Sequence, residues 1–265
     1  MLKTVICPIT KQELTSEGCL AHAVASRPAP CGYDYTLLKK MFEDSNREGI
    51  HTTDLLGCLK RTVLTKQNPI AEPVPAMLAR TLGTLTHAVL EIDEKDQTAL
   101  SEIPVSRGGV VGTVDLFYPQ QKTLVDFKTT RWLKIANLPY GSHSMQVNIY
   151  AWMLEGSGYE IEKLFVQYID LSGPSKCRSC KIYLEMNDGV LSCPRCGKAP
   201  KDAHMGTALI EIEKMDSEEV GQYVKEKKER VEAGLETGLV EAEPSWLCYY
   251  CAHLPNCHEG LKFAG

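Results

Sequence analysis

Eleven cysteines stand in this 265-residue chain, and all but Cys58 fall into three groups. The N-terminus, MLKTVICPITKQEL, turns polar almost at once, and no apolar run approaches the roughly 18 residues of a membrane span. The expectation is a cytoplasmic protein, where thiols stay reduced and clustered cysteines read as metal ligands before they read as disulfides. Such a chain must fold so that distant or looping segments meet around ions.

The strongest of the three groups is Cys177-x2-Cys180 with Cys193-x2-Cys196, in KCRSCKIYLEMNDGVLSCPRCGK. Two such hooks a dozen residues apart can wrap one tetrahedral zinc, each giving two thiolates from a tight turn. Pro194 and Gly197 supply turn chemistry, and IYLEM reads as one strand of a small ribbon. The C-terminal group, Cys248-x2-Cys251-x5-Cys257, is one thiolate short of four. A distant cysteine, His253 or His258 must complete it, and spacing alone does not choose between zinc and an iron–sulfur cluster. The N-terminal group is looser: Cys19-x2-His22 has knuckle spacing, and Cys7 with Cys31 makes it a candidate zinc set of three thiolates and one imidazole.

The chain is 43% hydrophobic and 24% charged, enough for a real core and one to two domains. Its net charge of −5 excludes a histone-like polycation, so any nucleic-acid contact must be a local basic patch. Residues 1–35 read as a small loop-rich module. TLLKKMFEDSNREG predicts a short helix, and HTTDLLGCLKRTVLTKQNP predicts a capped helix carrying Cys58, Lys60 and Arg61. From Ala76 to Glu91 the positions Leu78, Leu82, Leu85 and Val89 share a narrow apolar stripe at helical spacing, with His87 roughly opposite it. The period then changes. SEIPVS, VVGTVDLFY and KTLVDFKTT predict a three-stranded antiparallel meander; HSMQVNIYAWMLEG predicts a helix; KLFVQYIDLSG and TALIEIEKM predict strands into and out of the ribbon. Asp216-x-x-Glu219 opens a long helix with Val220, Tyr223, Val224 and Val231 on one face.

Within the meander, Asp115 lies late in the second strand, and Asp126 and Lys128 share one face of the third. Two carboxylates on adjacent strands form a hard oxygen site for magnesium or manganese, and a neighbouring ammonium can orient a water and offset charge on a phosphate. Read blandly, the same residues are an exposed ion pair on an edge strand.

These residues, in order, resemble the PD-(D/E)XK nuclease superfamily and its RecB-like exonuclease branch. Gly83-x3-His87, Gly112-x2-Asp115, Asp126-x-Lys128 and Gln146-x3-Tyr150 follow the branch's pattern, and Cys58 with Cys248, Cys251 and Cys257 follows its four-cysteine 4Fe–4S cluster. The resemblance implies an α/β (α+β), restriction-endonuclease-like core, a central mixed sheet flanked by helices. It implies His87, Asp115, Asp126 and the Phe127 carbonyl as ligands of magnesium or manganese, Lys128 as the residue that aligns the attacking water, and Gln146 and Tyr150 as the pair that steadies lysine and DNA backbone. Glu102 is a further acid near that site. The expected organisation is an N-terminal module over residues 1–50, a nuclease domain with iron–sulfur cluster over 51–265, and an inserted zinc ribbon over 173–205. The expected function is metal-dependent DNA hydrolysis, with single strands or DNA ends as substrate, a protein partner in a DNA-processing complex, and no membrane. Lys60, Arg61, Arg131 and Lys134 are candidate phosphate contacts. The alternative is a catalytically silent nuclease-fold adaptor or a zinc-ribbon nucleic-acid-binding factor.

Overall fold

In the first 90 residues the apolar spacing favours short elements joined by polar turns, and the computed structural model shows them. It describes residues 4–25, 31–33, 35–43, 48–68, 70–90, 98–187, 189–201 and 203–264. The chain divides into two compact units, Met1–Ala88 with Val224–Gly265, and Val89–Tyr223.

The first unit opens with an antiparallel hairpin, β1 (Thr4–Ile6) and β2 (Glu13–Thr15), registered Val5↔Leu14, and continues into α1 (Ser16–Ala25) and α2 (Tyr35–Glu43). After β3 (Ile50–His51) come α3 (Leu59–Gln67), β4 (Glu72–Pro73), which adds in parallel to β1, and α4 (Val74–Leu90). Val5, Cys19, Ala23, Leu38, Met41, Val74 and Met77 form one buried cluster. That core selects a different face of α4 from the leucine stripe: Val74, Met77 and Thr81 are buried at i, i+3, i+7, whereas Leu85 and Val89 are 41% and 83% exposed. Only the start of the expected stripe packs, through Leu78. The helix expected from Thr52 onward is likewise two pieces, a 3-10 turn over Thr52–Leu55 and then α3. Gly57, unfavourable in a helix interior, lies at the break and leaves Cys58 as the N-cap of α3.

The second unit is a mixed sheet. β5 (Leu100–Arg107), β6 (Val110–Tyr118) and β7 (Thr123–Thr130) form the expected antiparallel meander; α5 (Gly141–Gly156) leads to β8 (Lys163–Asp170), parallel to β7. The ribbon hairpin β9 (Glu185–Asn187) and β10 (Val190–Ser192) precedes β11 (Thr207–Ile212), antiparallel to β8, so the strands lie β11-β8-β7-β6-β5. α5 is buried from Gln146 to Leu154 around its whole circumference, the mark of a helix enclosed by its domain. The long α6 (Ser217–Thr237) is capped by Asp216, whose Oδ1 accepts from the Glu218 N–H at 2.8 Å, and buries Val220, Val224 and Val231. The last helix, α7 (His258–Ala264), closes the chain described. No helix among the described residues is long and apolar enough to cross a membrane.

A buried carboxylate, Asp170, organises the end of the sheet. Its Oδ2 accepts the Leu133 N–H at 2.9 Å and lies 3.5 Å from His204 Nε2; its Oδ1 accepts from the Ser172 N–H at 2.7 Å and the Ser172 hydroxyl at 2.5 Å. Burial alone would push this carboxyl up, but the Ser172 and Leu133 donors outweigh it and hold Asp170 below the ordinary range. Its stabilisation is therefore complete above the unfolded carboxyl value near 4 and is lost as pH falls through the lower folded value. Asp170→Ala, which strands several donors, should lower stability by about 3 kcal/mol at pH 7. In urea titrations the gap between parent and variant should close as the pH is lowered toward 3; a gap that persists would show that the charge of Asp170 is not what the loops depend on.

Candidate active site and metal centres

Where β6 passes Asp115, the sheet loosens on both sides. The β6–β7 ladder runs over Tyr118↔Thr123, Phe117↔Leu124 and Leu116↔Val125. At the next step the Phe127 N–H donates to Asp115 Oδ2 at 2.7 Å instead of to a backbone carbonyl. On the opposite edge the β5–β6 ladder skips Glu102, between Ser101↔Leu116 and Ile103↔Val114, and Glu102 takes φ +48°, a left-handed conformation costly for a residue with a Cβ. Glu102 thus falls at the level of Asp115. The sequence placed it near the carboxylates but carried no sign of the backbone outlier.

Asp126 is 1% exposed and its Oδ2 lies 2.5 Å from Lys128 Nζ as an ion pair; the same ammonium donates to the Phe127 carbonyl at 3.4 Å. This is not a solvated surface pair. On α5, Gln146 and Tyr150 are both buried and joined, Nε2 donating to the Tyr150 hydroxyl at 3.0 Å.

Two further residues belong to this neighbourhood and were not singled out in the sequence. Tyr168 of β8 stands beside Lys128 in the parallel register, its hydroxyl accepting the Tyr140 N–H at 3.3 Å and meeting His143 Nδ1 at 3.0 Å. Burial, aided by the Lys128 charge, pushes His143 down to about 4, so the ring is neutral near pH 7 and shares one hydrogen bond with the Tyr168 hydroxyl through Nδ1. Burial pushes the Tyr168 phenol up, and the Asp126 charge adds to this. The signal was present: His143, Gln146 and Tyr150 stand at i, i+3, i+7, one face of α5. His87 lies on α4, and its side chain is outside the described residues.

The ribbon thiols converge. Cys177, Cys180, Cys193 and Cys196 have sulfurs all within 4.8 Å of one another, and Cys177 and Cys196 are 3.7 Å apart. A tetrahedral ion with ligand bonds of about 2.3 Å sets its thiolates about 3.8 Å apart, so the set fits one. The Cys180 and Ser179 N–H groups pull the Cys177 thiol below the ordinary cysteine range, while the crowded neighbouring sulfurs push Cys180 up, as four thiols drawn together must. Among the described residues this is the one group drawn so tightly.

Within the first unit the C-terminal segment is tied to the helix end at Cys58 by hydrogen bonds and an ion pair. Glu243 N–H donates to Cys58 Sγ and Ser245 N–H to Cys248 Sγ, both at 3.4 Å. Cys257 Sγ lies 3.7 Å from Glu259 Oε2, and Glu259 pairs with Lys60 at 2.9 Å, two residues after Cys58. That ion pair holds Glu259 down to about 2 and raises Lys60, on which the nearby Cys257 and Cys58 sulfurs also act. His253 is buried, with Nε2 at 2.9 Å from Thr65 Oγ1 of α3, a packing role rather than a ligand's. In the N-terminal group Cys7 and Cys19 are buried, Cys31 half-buried and His22 exposed.

Arg131 and Lys134 are exposed on the loop after β7, and Trp132 between them is 82% exposed. Leu133, by contrast, is buried, and its N–H is held by Asp170.

Among solved structures the chain is similar to SSO0001, at 21% identity over 84% of this chain and 93% of that one, with a TM-score of 0.52. A phage-related exonuclease from Haemophilus somnus 129PT aligns at 10% identity over 73% and 94% of the two chains, with a TM-score of 0.35. The first likeness shows a shared fold. No curated protein matches the sequence. The model of the PD-(D/E)XK nuclease superfamily matches residues 8–258, nearly the whole chain. With a mixed sheet that sets Asp115 and Asp126-x-Lys128 on neighbouring strands, the chain belongs to the PD-(D/E)XK nuclease superfamily.

Proposed function

We propose that this protein is a divalent-metal-dependent deoxyribonuclease of the RecB-like branch, acting on single strands or DNA ends. The observation that carries the reading is the buried Asp126–Lys128 pair at the level where Asp115 takes a backbone donor from the neighbouring strand. Two carboxylates and the Phe127 carbonyl are hard oxygen donors of the kind magnesium and manganese take, with Glu102 a third acid at the same level. When bound, such an ion supplies positive charge facing a phosphate and a water of lowered pKa. Asp126 fixes the Lys128 ammonium, which aligns the attacking water and offsets charge developing on the phosphoryl oxygens. His143 and Tyr168 flank Lys128, and Gln146 with Tyr150 completes the polar lining.

Preference for unpaired strands draws support from the loop that follows the catalytic strand. A tryptophan 82% exposed, set between Arg131 and Lys134 and four residues from Lys128, offers an unpaired base a face to stack on and its phosphates two cations. The chain from Lys128 to Trp132 spans at most about 14 Å. The four cysteines 58, 248, 251 and 257 form the 4Fe–4S site, each thiolate binding a different iron, which suits a set less tightly drawn than the ribbon's. The ribbon holds zinc, and its six cations between Lys176 and Lys201 attract a nucleic acid or an acidic partner surface.

Asp126→Ala and Lys128→Ala should each lower magnesium- or manganese-dependent cleavage of end-labelled oligonucleotides by at least about 100-fold while the circular dichroism stays that of the parent. Folded variants that cut as well as the parent would favour the silent DNA-binding adaptor.

With EDTA present to prevent cutting, Trp132→Ala should weaken binding of an oligo-dT strand about tenfold and Trp132→Phe much less. Equal losses on an abasic strand would show that no base stacks there.

Isolated anaerobically, the protein should be brown and carry about four iron and about four acid-labile sulfides per chain. A colourless preparation holding zinc at these cysteines would replace the cluster with a four-thiolate zinc site.

A further inference from the structure

The turn at Cys7 repeats, bond for bond, the turn that the ribbon uses at its first metal thiolate. In the ribbon, Cys177 N–H donates to the Ile182 carbonyl at 2.8 Å, Lys181 N–H to the Cys177 carbonyl at 2.8 Å, and Cys180 N–H to Cys177 Sγ at 3.4 Å. At the N-terminus, Cys7 N–H donates to the Gln12 carbonyl at 2.9 Å, Lys11 N–H to the Cys7 carbonyl at 3.0 Å, and Thr10 N–H to Cys7 Sγ at 3.5 Å. The fourth residue after each cysteine is left-handed, Lys181 at φ 61° and Lys11 at φ 60°. The second ribbon hook places Gly197 at φ 71° in the same position. A left-handed lysine alone also closes an ordinary hairpin here, at Lys122 (φ 50°), so it is the three bonds taken together, with a backbone N–H aimed at the sulfur, that match Cys7 to the ribbon's hook.

The rest of the module supplies the other ligands. The knuckle closes the β1–β2 hairpin, and β2 runs straight into α1, which carries Cys19 and, one turn on, His22. This hairpin-then-helix order is that of a small zinc-held module, with one ligand from the knuckle and two from the helix at i, i+3. Cys19 is buried in one cluster with Val5, two residues before Cys7, and Tyr33, two residues after Cys31, packs against the same cluster, so the helix and both flanking segments share one small core. The strands here have only three residues each and the parallel addition β4 only two, too little ladder to fix such a hairpin unaided.

We infer that the N-terminal hairpin and helix hold a structural zinc of their own through Cys7, Cys19, His22 and Cys31, independent of the ribbon. The ion is bound by three thiolates and a neutral imidazole, three thiol protons being released on binding. Thr10 occupies the place that a second hook cysteine has in the ribbon, and Cys31 takes over its function from further along the chain. The inference does not depend on nuclease activity.

The experiment uses the full-length chain expressed with zinc, and reads metal content by mass spectrometry. Cys7→Ser and Cys31→Ser should each carry one zinc fewer per chain than the parent. Cys193→Ser in the ribbon should also lose one, and the Cys7→Ser/Cys193→Ser double variant should lose two. In the unmutated protein, alkylation of Cys31 should be slow and should accelerate when a zinc chelator is added, together with that of Cys7 and Cys19. His22→Ala alters an exposed side chain, so it should fold and release one zinc at a lower chelator concentration than the parent. The inference is overturned if Cys7→Ser and Cys31→Ser keep the parent's zinc, or if the chelator leaves alkylation of all three N-terminal cysteines unchanged. The alkylation arm needs no variant and decides the matter even where a serine variant precipitates.

Discussion

A backbone N–H that gives up its ladder partner for a carboxylate is the constraint on which the second unit turns. Phe127 does this with Asp115 at 2.7 Å. Two strands that kept perfect pairing would bring Asp115 and Asp126 side by side with no means of offsetting their repulsion. Because β6 and β7 part after Leu116↔Val125, Asp115 is held by a dipole of the neighbouring strand, while Asp126 is held by Lys128 two residues along its own. Asp115 thereby keeps a donor and Asp126 a compensating charge although both are buried. The parallel strand β8 then closes over Lys128 with Tyr168, and α5 brings His143 to the phenol. The neutrality of His143 follows from this arrangement, since a second cation beside Lys128 in a buried place would be disfavoured twice over.

The parts of this architecture that were legible in the sequence are those written as a repeating pattern of side chains. The meander, the strands either side of the ribbon and the helix at 141–156 show their periods plainly, and the structure follows them. The parts that were not legible are decided by which surface a neighbour covers. In α4 the leucines at 78, 82, 85 and 89 make a clean stripe, yet Val74, Met77 and Thr81 are the residues buried, because the N-terminal cluster meets that face of the helix. Tyr168 was unreadable for a related reason: only a parallel register, set by a crossover through α5, brings it next to Lys128. Glu102 shows a third limit, since a left-handed glutamate leaves no trace in residue type.

Cysteine spacing, by contrast, is informative because a metal hook is a local object. Two residues between thiols fix a turn whatever the rest of the chain does, and the ribbon quartet converges accordingly. The C-terminal trio is one thiolate short of four, so its spacing says nothing of what lies beside it. In the structure α3 begins after Cys58 because Gly57 breaks the preceding turn, and Lys60 on its first turn pairs with Glu259 beside Cys257. A segment 199 residues away is thus brought to the same helix end by an ion pair and by the Glu243 N–H on the Cys58 sulfur.

Asp170 joins the remaining pieces of the second unit. The residue closes β8, the strand that also carries Tyr168, and it spends one carboxylate on three loops at once. Through Leu133 it fixes the segment that leaves β7, with the adjacent Trp132, Arg131 and Lys134 facing solvent. Through His204 it fixes the chain returning from the ribbon, where Gly206 donates its N–H to His204 Nδ1 at 3.1 Å. That bond leaves Nδ1 as the acceptor and turns Nε2, with the ring proton, toward the Asp170 carboxylate 3.5 Å away. The four-cysteine insertion and the chain leaving β7 are consequently anchored on the same buried charge. The ribbon can carry its cations without loosening the sheet, because its two ends are tied where β8 stops.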